Sequence, residues 1–213
     1  MARSSALARI PLVGEAHAPA GAIVNLVLRL AIVAMSVDAI VNATDERFAG
    51  KALAPRDVLI SLGLAMVFPL FWRLRYRGRQ WREYPWWFDC LYLSIFVFDM
   101  AGNSLGLYNS FTVTFNDITH TYGNGALTIV LAGAFGFTAL EAMGLTTILH
   151  LILQVEEYYG DVFLHTHNIV GMEGEYQQFV GGLIAVTICG LAWYLSRDWR
   201  TKRAKRLRKP KDR

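Results

Sequence analysis

The run 22–41 holds twenty residues of which only Arg29 and Asp38 are charged. At about 1.5 Å of rise per residue, a helix of that length covers the roughly 30 Å hydrocarbon core of a bilayer. Further apolar stretches occupy 57–72, 85–107, 117–142, 145–159 and 177–195, with 145–159 short for a full crossing. In lipid every backbone N–H and C=O must be paired within the protein, so segments of this kind are confined to helices. The expected fold is therefore all-α: a polytopic membrane helix bundle of about six transmembrane helices. A hydrophobic content of 54% agrees with that class.

Charge sets the expected topology. Arg73, Arg75, Arg77, Arg79 and Arg82 interrupt the apolar pattern between the second and third stretches, and ten further basic residues lie within 197–213. Lys and Arg accumulate in short cytoplasmic segments, which places both termini and the 73–82 loop inside and the loops at 108–119 and 160–176 outside. The chain then divides into an N-terminal interfacial segment (1–20), the transmembrane bundle (21–196) and a basic cytoplasmic tail (197–213). A plasma or inner membrane location follows. The aromatic residues among the arginines of 73–82 have the composition of a nucleic-acid stacking surface, but between two apolar spans they read as interfacial anchors, and no nucleic-acid partner is expected. The first twenty residues lack a sustained apolar region and contain Pro11, Glu15 and Pro19, so no secretory signal is expected. Cys90 and Cys189 sit in apolar runs and read as buried thiols.

Between Arg82 and Arg197 there is no Lys or Arg at all, yet this span carries ten carboxylates and four of the five histidines. Acids that enter a membrane need a cation, a proton or water. With no basic residue nearby in sequence, a metal ion or shared protons are the expected neutralisers. The topology gathers Asp99, Asn103, Asn116, Asp117, His120, Asn124, Glu156, Glu157, Asp161, His165, His167, Glu173 and Glu175 on the extracytoplasmic side. Helical spacing makes one stripe of Asp117, His120 and Asn124 and a second of His150, Gln154, Glu157 and Asp161. Imidazole with carboxylate suits Zn, Mn or Fe, and ligands on facing helices are how bundles build such centres.

The expected ligands to a divalent metal are His120, Glu157, Asp161, His165 and His167, with Asp117 or Glu156 as general base for a bound water. Arg29, about two turns into the first span, is expected to snorkel or to pair with Glu141 at the same depth. Gly144 is expected to form the tight turn between the fourth and fifth elements.

The stretch Phe115-Asn116-Asp117-Ile118-Thr119-His120 resembles the aromatic-Asp-x-x-x-His-Phe element of the YjdF-like and VanZ-like small integral membrane proteins. Glu157, Thr166, Gly171 and Gly181-Gly182 fall at similar places along 115–182. Asn116 stands where that family has Asp, and Thr121 replaces its Phe. The resemblance implies no defined reaction.

Three classes of function fit these features. The first is a metal-dependent enzyme acting on a membrane lipid or lipid-linked substrate at the outer interface. The alternatives are a proton- or cation-coupled transporter, whose relay must continue inward through Asp38, Asp89 and Glu141, and a non-catalytic subunit packed against membrane protein partners.

Overall fold

The structure, a computed structural model, describes residues 18–48, 53–77, 83–110, 112–165 and 172–207. The expected interfacial segment before residue 18, residues 78–82 of the arginine loop and His167 with its neighbours 166–171 lie outside the described residues. Six long helices and one single-turn helix follow in order: α1 (Ala18–Val41), α2 (Leu53–Arg75), α3 (Trp86–Ser104), the short α4 (Leu107–Ser110), α5 (Thr112–Ala134), α6 (Ala139–Leu164) and α7 (Met172–Leu207). Three of them, in the segments Ala20–Val41, Ala139–Phe163 and Gly174–Ser196, are long and apolar enough to cross a membrane. Their outward faces carry Leu26, Leu30, Ile152, Val155, Ile184 and Ile188, each more than half exposed. Apolar surface of that extent on long helices is what lipid accommodates and water does not. The protein is a membrane-embedded helical bundle.

The helices form two groups. In the first, α1 packs along α3 and α2 leans on both; in the second, α5 packs along α7 and α6 covers both, while α3 against α5 joins the groups. Contacts fix the directions. Asn25 and Arg29 of α1 meet Asp89 near the start of α3, whereas Arg47, after α1, donates to the Ser104 carbonyl at the end of α3, so the two run parallel. In the second group Thr121 lies against Gly181 and Gly125 against Ala185 and Cys189, so α5 and α7 also run parallel. Asn124 facing His150 and Thr128 facing Thr146 make α6 antiparallel to α5.

Small residues permit the α5–α7 contact. A Cβ added at Gly125 would stand 3.0 Å from the Cys189 sulfur, and one at Gly133 would stand 3.1 Å from the Trp193 ring of α7 and run into the Phe88 ring of α3. Lipid offers no hydrophobic drive for helices to associate, so close backbone approach and dispersion have to supply it. At the end of the bundle that bears Arg73 and Arg75, an aromatic cluster ties the groups together. Phe68 and Phe135 have ring centroids 5.0 Å apart, Trp72 and Tyr84 also 5.0 Å, and the Tyr76 hydroxyl donates to the Ala134 carbonyl at 3.1 Å. We call this the basic end; the opposite end, with Asp45, Asp99, Glu157 and Asp161, is the acidic end.

Several sequence expectations are corrected here. The turn after α5 falls at 135–138, where Gly136 adopts φ 73, a left-handed conformation that only glycine reaches without strain. Gly144 is a helical residue with nothing within 4 Å of a built Cβ. Thr138 caps α6: its hydroxyl accepts from Glu141 N, and the Glu141 carboxylate accepts from Thr138 N. That reciprocal capping box starts the helix six residues before 145 and gives it 26 residues, long enough to cross. Arg29 neither snorkels nor reaches Glu141; it pairs with Asp89 at 2.8 Å. α7 continues unbroken to Leu207, so the described part of the basic segment, 197–207, is helical.

A polar seam among α5, α6 and α7 as the candidate functional site

Each helix of the second group brings one polar stripe to their common contact. From α6 come Thr146, His150, Gln154, Glu157 and Asp161, at intervals of four, four, three and four, which is the spacing of a single helical face. From α5 come Asp117, His120, Asn124 and Thr128. From α7 come Glu175 and Gln178, followed by Gly181 and Gly182. The α6 stripe alone extends about 22 Å at 1.5 Å per residue.

The deep part of the seam is neutral and tightly bonded. The Thr128 hydroxyl donates to the Asn124 carbonyl at 2.9 Å and lies within hydrogen-bond distance, 3.1 Å, of the Thr146 hydroxyl. Asn124 Nδ2 donates to the His120 carbonyl at 2.8 Å and lies 3.1 Å from His150 Nδ1. The His120 and His150 rings stack with centroids 5.4 Å apart. Gly182 makes room for this: a Cβ there would stand 2.7 Å from both Asn124 Nδ2 and His150 Cε1. His150, Thr128, Thr146, Asn124 and Gln178 are all buried, and His150 Nε2 has no hydrogen-bond partner among the described residues. Below Thr128 and Thr146 the seam closes on Ala132, Ala142 and Met143, the last filling the space over Gly190.

Toward the acidic end the seam becomes charged. Gln154 Nε2 donates to Glu157 Oε2 at 3.3 Å and approaches Gln178 Oε1 at 3.5 Å. Asp161 stands close enough to Glu175 for their charges to repel, and Glu157 close enough to act on the Tyr108 phenol. The Tyr108 phenol in turn donates to Asp99 and lies 3.2 Å from the Thr119 hydroxyl, linking α3, α4 and α5 at the rim. Asp117 is half-buried, and its Oδ1 has no hydrogen-bond partner among the described residues.

The candidate residues from the sequence thus separate. His120 and Glu157 belong to the seam on facing helices, with Asp161 nearer its mouth. Glu156 is half-buried on α6 beside Glu157 in sequence. His165 is exposed and ends α6 in a left-handed conformation at φ 53, a capping geometry rather than a position within the seam. Among the described residues no three His, Cys, Asp or Glu side chains come together as a metal-holding group. Gln178, Thr128 and Thr146 were absent from the expected site. Thr146 continues the α6 stripe by one turn, a signal visible in the sequence, whereas nothing in the sequence of α7 marks Gln178 over Gln177.

The first group holds a second polar cluster of a different kind. Asp89 Oδ2 accepts from Asn25 Nδ2 at 2.8 Å, Arg29 Nη2 at 2.8 Å and the Tyr84 hydroxyl at 2.7 Å, and Arg29 Nη1 also donates to the Ala65 carbonyl at 2.9 Å. Asp38 and Asp45 are likewise engaged by Arg47, at 3.3 and 3.2 Å.

No family model, no curated protein and no solved structure matches this chain.

Proposed function

We propose that this chain is an integral membrane enzyme that takes the polar part of a lipid or lipid-linked substrate into the α5–α6–α7 seam from the acidic end. The observation that carries this reading is the form of the seam: polar from Asp161 down to Thr146, closed below by Ala132, Ala142 and Met143. A polar seam that gives way to packed apolar residues at one end suits a substrate that would enter and leave by the other. Glu157, Asp161 and His120 have the donor types for a divalent cation, Zn, Mn or Fe, and binding one would have to draw them together, since among the described residues they do not form a ligand group; Asp117 or Glu156 would then take a proton from a water bound to it. The likeness of 115–182 to the YjdF-like and VanZ-like membrane proteins belongs to the same proposal. So does the topology of six crossings with the basic end, both termini and the tail in the cytoplasm of a plasma or inner membrane.

A coupled transporter is less well supported. Of the carboxylates that its relay needs, Asp89 is paired with Arg29 and Glu141 is engaged in the cap of α6, while Asp38 lies at the acidic end, held by Arg47.

Metal analysis of the purified protein, with Glu157→Ala and Asp161→Ala beside it, tests the proposal. A stoichiometric divalent ion that is lost in both variants is the expected result. An ion-free protein that copurifies with a second membrane protein would replace the enzyme by a non-catalytic subunit. Cysteines placed at 77 and 43 should label from opposite faces, position 77 only after the cytoplasm is opened.

A further inference from the structure

The two hydrogen bonds of Asn124 fix the protonation of His150. A backbone carbonyl only accepts, so the Asn124 amide atom 2.8 Å from the His120 oxygen is the nitrogen, and the orientation of the amide is determined. That same nitrogen is 3.1 Å from His150 Nδ1. An amide nitrogen donates and has no lone pair to offer, so Nδ1 must be the acceptor. A neutral imidazole that accepts at Nδ1 carries its hydrogen on Nε2. An imidazolium, or a ring protonated at Nδ1, would set two donors against each other. His150 is only 4% exposed, and its Nε2 is the buried atom without a partner among the described residues.

A buried donor left unpaired is costly, and native structures avoid it where nothing is gained. We propose that His150 is a neutral hydrogen-bond donor whose Nε2–H receives an uncharged oxygen of the ligand, a carbonyl or hydroxyl group, and that Asn124 is the positioning residue that fixes its tautomer. The neutrality of the surroundings selects the ligand class. Asn124, Gln154, Gln178, Thr128 and Thr146 provide no positive charge, and the seam-lining parts of α5, α6 and α7 carry no Lys or Arg, so a phosphate or carboxylate at this depth would find no cationic side chain among those that line the seam. The same lock excludes His150 as a metal ligand through Nε2, because that nitrogen keeps its hydrogen as long as Asn124 donates to Nδ1. The ligand assignment rests on the seam being the substrate site; the tautomer stands independently of it.

The test is nuclear magnetic resonance of full-length protein with labelled histidine, in detergent and in vesicles of phosphatidylethanolamine and phosphatidylglycerol, whose ester carbonyls are uncharged acceptors. Histidine carbon and nitrogen shifts, with His150→Gln for assignment, should identify an Nε2–H tautomer at His150 that persists when Zn is added. An Nδ1–H tautomer, or loss of the Nε2 proton of His150 on adding Zn, overturns the donor role. In vesicles the Nε2 proton should move downfield and lose any contact with water; a water contact that persists there overturns the ligand while leaving the tautomer intact. Asn124→Asp supplies an acceptor in place of the amide and should convert His150 to Nδ1–H, opening Nε2 to Co(II), read as new visible absorption. Failure of a folded Asn124→Asp protein to change tautomer would overturn Asn124 as the positioning residue, and the measurement on the parent protein does not depend on that variant folding.

Discussion

The two helix groups bury polar residues by opposite means. In α1–α3 a full carboxylate is buried, and three donors converge on one of its oxygens, one of them a guanidinium. In α5–α7 the deep groups are amides, hydroxyls and imidazoles that satisfy one another without formal charge, and the carboxylates are held back toward the mouth. A buried ion pair is rigid and intolerant of losing either partner. A neutral network can exchange one partner for a ligand at small cost. The first cluster is therefore built to hold helices together, and the second to receive something.

The largest effect expected from this contrast is at Arg29. Arg29→Met leaves Asp89 buried and uncompensated, and thermal unfolding in detergent should register a loss of about 3–5 kcal/mol. Adding Asp89→Leu should recover most of it, a coupling that a double-mutant cycle measures. If Arg29→Met costs no more than His150→Phe, the distinction between the clusters fails.

A smaller effect is expected in the seam. Gly182→Ala places a methyl 2.7 Å from Asn124 and from the His150 ring and should destabilise by about 1–3 kcal/mol through overpacking. Gly144→Ala, on the same group but with open space around it, should instead stabilise by about 0.4–1 kcal/mol. Equal effects at the two glycines would remove the argument for a tightly fitted ring cluster. Next in size is the cap that sets the register of α6: Thr138→Ala should cost about 1 kcal/mol, and the α6 stripe should become less protected in hydrogen exchange.

The smallest effect lies outside both clusters, in the loop after α1. Hydrogen bonds from the Arg47 backbone and side chain hold the Asp45 carboxyl below its ordinary value of 3.8. A group whose folded value is depressed contributes stability above its unfolded value and loses it as the pH falls through the folded one. Asp45→Asn should therefore be slightly less stable than the parent at neutral pH and indistinguishable from it at pH values below the folded range. A difference that grows on acidification would contradict the pairing.

Much of this arrangement was legible in the residues themselves. Apolar length required helices, and periodicity within a helix put His150, Gln154, Glu157 and Asp161 on one face before any neighbour was known. The start of α6 was also legible, since Thr138-x-x-Glu141 before an apolar run is a capping box, but the nearby Gly144 drew the turn to itself. What the sequence could not supply was the partner of each face. Asp89 stands in a segment without a single Lys or Arg, and its cation comes from Arg29, sixty positions upstream on a helix that packs in parallel. Likewise Gly182 matters only because α7 brings its bare backbone to the ring of His150. Spacing along one helix is set by 3.6 residues per turn and can be counted; which helix lies opposite depends on how all the faces pack at once, and that was decided only in three dimensions.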